Sequence, residues 1–231
     1  MRKFLAEFVG TFFLVLTVGI AVIKMSALAP LAIGGVLTVM VYAAGHVSGA
    51  HFNPAVTLAA LVRGAISRVD AAGYVIAQAA AGVLAALVAG WITHPAAIST
   101  LTLSGRAIGV ALLAECLFTF ALAYVVLNVA TSQDHPDNSF YGLAIGGTVM
   151  AGAATVGGIS GGVFNPAVAL GGAVLGLFAW SSIWVYLVAA LVGGSAAGVL
   201  FLALNPGDRP NAQLDAGRRG ATSNDPASAT F

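Results

Sequence analysis

The sequence predicts an all-α membrane protein with six transmembrane helices and two re-entrant half-helices arranged as an inverted repeat. Three observations carry that prediction. The 231 residues are 59% hydrophobic and only 7% charged, whereas a soluble domain, whose surface must face water, carries about 25% charged residues. Six apolar stretches have the length that a bilayer's hydrocarbon core demands of a helix, about 20 residues. A block of eleven residues also recurs at an offset of 112, with eight positions identical, which marks an internal duplication.

Residues 4–23 form the first expected span, preceded by Arg2 and Lys3. A cleaved signal peptide would share that layout, with Ala27-Leu28-Ala29 as the cleavage-like site. The apolar stretch is long enough to cross, however, and Glu7 lies inside it. Its Ala6-Glu7-Phe8-Val9-Gly10-Thr11-Phe12 run returns as Ala114-Glu115-Cys116-Leu117-Phe118-Thr119-Phe120, so it is expected to stay as part of the fold. The other spans are expected at 28–46, 70–92, 108–130, 139–157 and 181–204. Two apolar segments, 54–62 and 166–176, are too short to cross, and each opens with Asn-Pro. From 205 to 231 the composition turns polar, poor in core-forming residues, which predicts a disordered tail. The chain thus divides into a membrane-spanning domain over 1–204, with repeats near 1–105 and 106–204, and that tail.

Lys and Arg count gives the orientation. One set of alternate connections holds Arg2, Lys3, Arg63, Arg68, Arg209, Arg218 and Arg219, the other only Lys24 and Arg106. Both termini are therefore expected on the cytoplasmic side of a cell membrane. The net charge is +1 and no basic run is present, so nothing points to nucleic acid. Cys116 is the single cysteine, so no internal disulfide is possible and no metal or other cofactor is expected.

The repeated block is Ser48-Gly49-Ala50-His51-Phe52-Asn53-Pro54-Ala55-Val56-Thr57-Leu58, echoed by Ser160-Gly161-Gly162-Val163-Phe164-Asn165-Pro166-Ala167-Val168-Ala169-Leu170. Three spans per half is an odd number, so the halves enter the membrane in opposite senses. Such repeats place a site near the bilayer midplane, built from short interrupted helices. Proline suits the first helical position, where its missing N–H is no loss. Asparagine before it is a good N-cap, its oxygen held by orphan N–H groups of the first turn. That leaves the amide NH₂ of Asn53 and of Asn165 as donors. Nine residues make about 13 Å of helix, near half the hydrocarbon thickness. Two such helices from opposite faces would meet head to head, positive ends converging. Extended backbone over 46–52 and 158–164 is tolerable at that depth only beside a water-filled path, so His46, Ser48, Gly49 and Gly161 are expected to line it.

With both motifs in hand, the chain resembles the aquaporin, or major intrinsic protein, family. The matching residues are Gly45 through Thr57, the second Asn165-Pro166-Ala167, and the glutamates Glu7 and Glu115. The resemblance covers about 1–204. It implies a passive pore for water and small uncharged solutes in each subunit of a homotetramer embedded in the lipid bilayer. One position departs from it. Most members have arginine directly after the second Asn-Pro-Ala, narrowing the outer mouth, and this chain has Val168. Extending the resemblance without gaps, the other constriction positions are Ile33, Ala153 and Gly162. Water-selective members usually have histidine where Ala153 stands, and glycerol-type members usually have Asn-Pro-Ala-Arg-Asp. Ile, Ala, Gly and Val would make a wider, uncharged mouth. Polyols, urea and neutral metalloid hydroxides are the expected solutes, unless Arg106 reaches in to replace the charge. A water-selective pore is the alternative.

Glu7 and Glu115 lie within spans, and their repeat-related positions favour bracing of the adjacent loops over proton coupling. His46 and His51 flank the first loop with too few neighbouring ligands for a metal. Tyr74 and Gln78 are placed to hydrogen-bond across helices, and Gly193-Gly194-Ser195-Ala196-Ala197-Gly198 to allow close helix approach. Asp134, His135 and Asp137 read as a solvated connection. Two other functions fare worse. Gly158-Ile159-Ser160-Gly161 matches a serine-nucleophile pattern, but no histidine lies on a later span to serve as base. An ion-coupled transporter would need midplane ligands, and only the two glutamates are on offer.

Overall fold

The structure, a computed structural model, describes residues 1–208. Eight α-helices run in the order α1 (Arg2–Ile23), α2 (Ala29–Ser48), α3 (Pro54–Arg63), α4 (Arg68–Thr93), α5 (Arg106–Thr131), α6 (Tyr141–Ser160), α7 (Pro166–Leu175) and α8 (Ile183–Leu204). Six of them are long and apolar enough to cross a membrane, while α3 and α7 are not. Six crossings return the chain to its starting side, so Met1 and Asp208 share one face of the bundle, the near face.

The long helices pair as α1 with α4 and α5 with α8, and α2 meets α6 where the halves join. The half-helices are exchanged. α3 packs on α8 of the other half and α7 on α4. Outward faces carry Leu5, Ile76, Leu113, Leu117 and Val199, all more than half exposed, as hydrocarbon contact requires. Trp91, Trp180 and Trp184 are exposed at the far end, the level where indoles settle at a membrane interface.

Two expectations needed correction. α2 runs to Ser48 and α6 to Ser160, so 46–48 and 158–160 are helical rather than extended. Both helices stop where Gly49 (φ 82°) and Gly161 (φ 102°) adopt the left-handed conformation, which glycine reaches without steric cost. The irregular backbone is therefore only 49–53 and 161–165. The second correction concerns the tail. Pro206–Asp208 forms a 3-10 turn, and Asp208 is buried. Its carboxylate meets Arg63 Nη2 at 3.4 Å and accepts from Gln133 N at 3.3 and 3.4 Å. Arg63 also donates to Thr131 Oγ1 and O, at 3.0 and 2.7 Å, and lies over the Phe201 ring. The disorder expected from 209 onward falls outside the described residues.

Candidate pore and its two re-entrant loops

Each half-helix starts from local chemistry. Asn53 and Asn165 sit in extended backbone and accept, through Oδ1, from Ala55 N at 2.8 Å and Ala167 N at 2.9 Å. Pro54 and Pro166 follow at the first helical position. The two motifs then lock to each other. Asn53 Nδ2 donates to Phe164 O at 2.8 Å, and Asn165 Nδ2 to Phe52 O at 2.9 Å. Sequence reasoning left each amide group wholly available as a donor. The structure commits one hydrogen of each to this cross-brace, and a primary amide has two.

The approach to each cap is strained. Ala50 and Phe52 in the first loop, and Phe164 in the second, have φ near +50° without being glycine, a conformation that persists only when its surroundings over-determine it. The glutamates supply that. Glu7 accepts from Ser48 Oγ at 2.7 Å, His51 N at 2.9 Å, Phe52 N at 2.7 Å and Gln78 Nε2 at 2.8 Å. Glu115 accepts from Ser160 Oγ at 2.7 Å, Val163 N at 3.0 Å and Phe164 N at 2.8 Å. Tyr74 and Tyr186, also 112 apart, donate to Ser48 O and Ser160 O. Ser160, fully buried and bonded to a carboxylate, is no accessible nucleophile.

Two cavities meet at these loops. The one opening on the far face has a volume of about 320 Å³. Ile33, Ala153, Gly162 and Val168 all border it, as do Asn53, Asn165, Gly161 and Val163. Much of the rest of its lining is apolar, including Leu14, Val18, Leu37, Val56, Leu122, Val126, Ile145 and Val149. None of the described residues bordering it is Arg, Lys, Asp or Glu. Arg106 is exposed at the start of α5 and is not among them. The wider vestibule on the near face, about 750 Å³, is bordered by His46, Ser48, Gly49, Arg63, Tyr74 and the 131–138 connection. His51, Val126 and Ile145 border both cavities, so the two adjoin at that level. Among the described residues, the carbonyls of Gly161, Gly162 and Val163 accept no hydrogen bond from the protein, nor do those of Gly49, Ala50 and His51.

The sequence profile described as Major intrinsic protein matches residues 1–201. The chain belongs to the major intrinsic protein family. Glycerol uptake facilitator protein-like 6 of Lactiplantibacillus plantarum is 41% identical over 207 residues, covering 85% of this chain and 95% of that one. Aquaporin NIP1-4 of Oryza sativa subsp. japonica is 37% identical, covering 85% and 74%. An aquaglyceroporin X-ray structure from Plasmodium falciparum superposes with a TM-score of 0.75 over 92% of this chain and 97% of that chain, at 22% identity, a likeness of fold. This major intrinsic protein is thus a membrane channel for water or small solutes and not an enzyme.

Several residues bordering the cavities carried no usable sequence signal. Leu14, Val18 and Val22, then Leu122 and Val126, then Ile145 and Val149, follow one another at steps of four on one helix face. In helices apolar all round, that periodicity is invisible. The pairing of Arg63 with Thr131 and Asp208 is likewise invisible in the sequence, since those partners lie far from it along the chain.

Proposed function

We propose that the two cavities form one passive conduit for small uncharged solutes, including polyols, urea and neutral metalloid hydroxides. In this reading both chain ends are cytoplasmic, the membrane is the cell membrane, and the assembly is a homotetramer. The observation that carries the selectivity is the uncharged far mouth of Ile33, Ala153, Gly162 and Val168. Arginine there would add bulk and a fork of donors. Valine adds neither. The facilitator-like name of the bacterial relative agrees with passage of solutes larger than water.

A permeant entering the far mouth exchanges water for the carbonyls of Gly161 to Val163 and slides along the alkyl side chains that make up much of the lining. At the centre, the remaining amide hydrogens of Asn53 and Asn165 donate to its oxygen. The positive ends of α3 and α7 converge there and repel cations and hydrated protons, the barrier described for aquaporin-type pores. Donors at the centre and acceptors on either side suit molecules that both give and take hydrogen bonds.

Proteoliposomes under osmotic gradients of sucrose, glycerol, urea and a metalloid hydroxide provide the test. Fast shrinkage in all, then fast re-swelling in the last three, is expected. Shrinkage without re-swelling would establish a water-selective pore. Val168→Arg should cut solute re-swelling at least tenfold while sparing water more, and unchanged solute flux would count against the mouth's role.

A further inference from the structure

The two re-entrant loops differ in their polar surroundings. Around the second, the positions 112 residues on from His51, Thr57 and Gln78 are Val163, Ala169 and Ala190, none with a polar side chain. Around the first, the three polar side chains form a chain of hydrogen bonds from the passage to the buried glutamate. His51 Nδ1 is 3.1 Å from Thr57 Oγ1, Gln78 Nε2 is 3.1 Å from the same oxygen, and Gln78 Nε2 is 2.8 Å from Glu7 Oε2. Thr57 Oγ1 also lies 3.1 Å from Asn53 O.

The direction of each bond follows from the donors available. Glu7 receives the backbone N–H groups of His51 and Phe52 and the Ser48 hydroxyl, so the Gln78 group facing it must be the amide NH₂. That group spends its second hydrogen on Thr57. Thr57 has one hydrogen, and Asn53 O, a carbonyl, has none to give. One assignment turns every one of these contacts into a hydrogen bond. Thr57 donates to Asn53 O, and it accepts from Gln78 and from His51 Nδ1. Were Thr57 to donate to His51 instead, its oxygen would face the Asn53 carbonyl at 3.1 Å with no hydrogen between them.

We propose that Thr57 and Gln78 are positioning residues that hold the neutral His51 ring with its proton on Nδ1, making Nε2 a hydrogen-bond acceptor on the passage. The geometry places Nε2 there. His51 borders both cavities, Nδ1 is turned to Thr57, and Nε2 lies beside Gly49, where a Cβ would come within 3.5 Å of it. Gly49 is exposed and borders the near vestibule. A hydroxylic solute leaving the two asparagine donors would next meet a side-chain acceptor, on the near side only. Tautomer choice of this kind is set by what the other ring nitrogen bonds.

This inference rests on the conduit reading for its consequence, though not for its test. The full chain, with isotope-labelled histidine, would be examined in liposomes by solid-state nitrogen and carbon NMR, His51 being assigned by the signal lost in His51→Asn. The wild-type ring should show protonated Nδ1 and bare Nε2, and a protonated Nε2 in the neutral ring would overturn the proposal. Thr57→Val should move the proton to Nε2 and lower water flux roughly fivefold, the factor for one ordinary hydrogen bond. Thr57→Ser should restore both. An unmoved proton in Thr57→Val would also overturn it. Wild-type liposomes that pass neither water nor solute would instead sink the conduit reading while the tautomer result stood.

Discussion

Gly82 and Gly194 stand 112 residues apart and occupy equivalent places. A Cβ on Gly82 would lie 2.6 Å from Ala167 O, and one on Gly194 2.6 Å from Ala55 O. In both cases the obstacle is a backbone carbonyl in the first turn of a half-helix, which cannot rotate aside as a side chain would. Alanine must therefore push α7 off α4, or α3 off α8. Overpacking of this kind costs about 1–3 kcal/mol. Gly82→Ala and Gly194→Ala should each lower the thermal midpoint in detergent, whereas Gly147→Ala, where a Cβ has nothing within 4 Å, should not lower it, alanine being the better helix former. Equal behaviour of all three would show that close approach at these points does not hold the half-helices.

The re-entrant segment as an element depends on a carboxylate that accepts from two successive N–H groups and a serine. Replacing it by an amide puts an NH₂ group where donors already point. For Glu115→Gln, the new group and the Phe164 N–H, which donates to Oε2 at 2.8 Å, would both be left without an acceptor, at about 1–3 kcal/mol for each buried group. In Glu7→Gln the new NH₂ has a remedy, because Gln78 Oε1 is buried without a partner and the Gln78 amide can turn to receive it. Glu115→Gln should thus lose more thermal stability and more flux than Glu7→Gln, and the reverse order would refute the bracing account. Proton coupling predicts instead that imposing a proton gradient alters wild-type flux. These elements also show what sequence reveals. Asn-Pro-Ala was legible because capping is local chemistry, written in consecutive residues. The ends of α2 and α6 lie past the expected 46 and 157, because each helix runs on to the left-handed Gly49 or Gly161 and its last serine bonds to a glutamate distant in sequence. Gln78 read only as a helix-crossing polar group, since its partners Glu7 and Thr57 are 71 and 21 residues away.

At the scale of the whole molecule, the duplication does not yield two separate units. Each half gives its short helix to the other, α3 to α8 and α7 to α4, and the asparagines bond across the join. The connection before α5 is docked in the same way. Leu101 N donates to Leu177 O, Ala179 N to Leu101 O and Leu103 N to the Ser182 hydroxyl. On the near face Arg63 reaches Thr131 and Asp208 of the second half. A half made alone would leave its asparagine NH₂ unbonded and the strained loop backbone without its counterpart. In hydrocarbon such groups find no water to satisfy them. Expressed separately, fragments 1–105 and 106–231 should therefore aggregate or be degraded. Expressed together, they should co-purify through a tag on either one and regain osmotic water flux, because the cut falls outside every one of these contacts. Isolation of fragment 1–105 as a stable, monodisperse species with a cooperative thermal transition would refute this, and would mean that the exchanged half-helices are an ornament of assembly rather than a condition for folding.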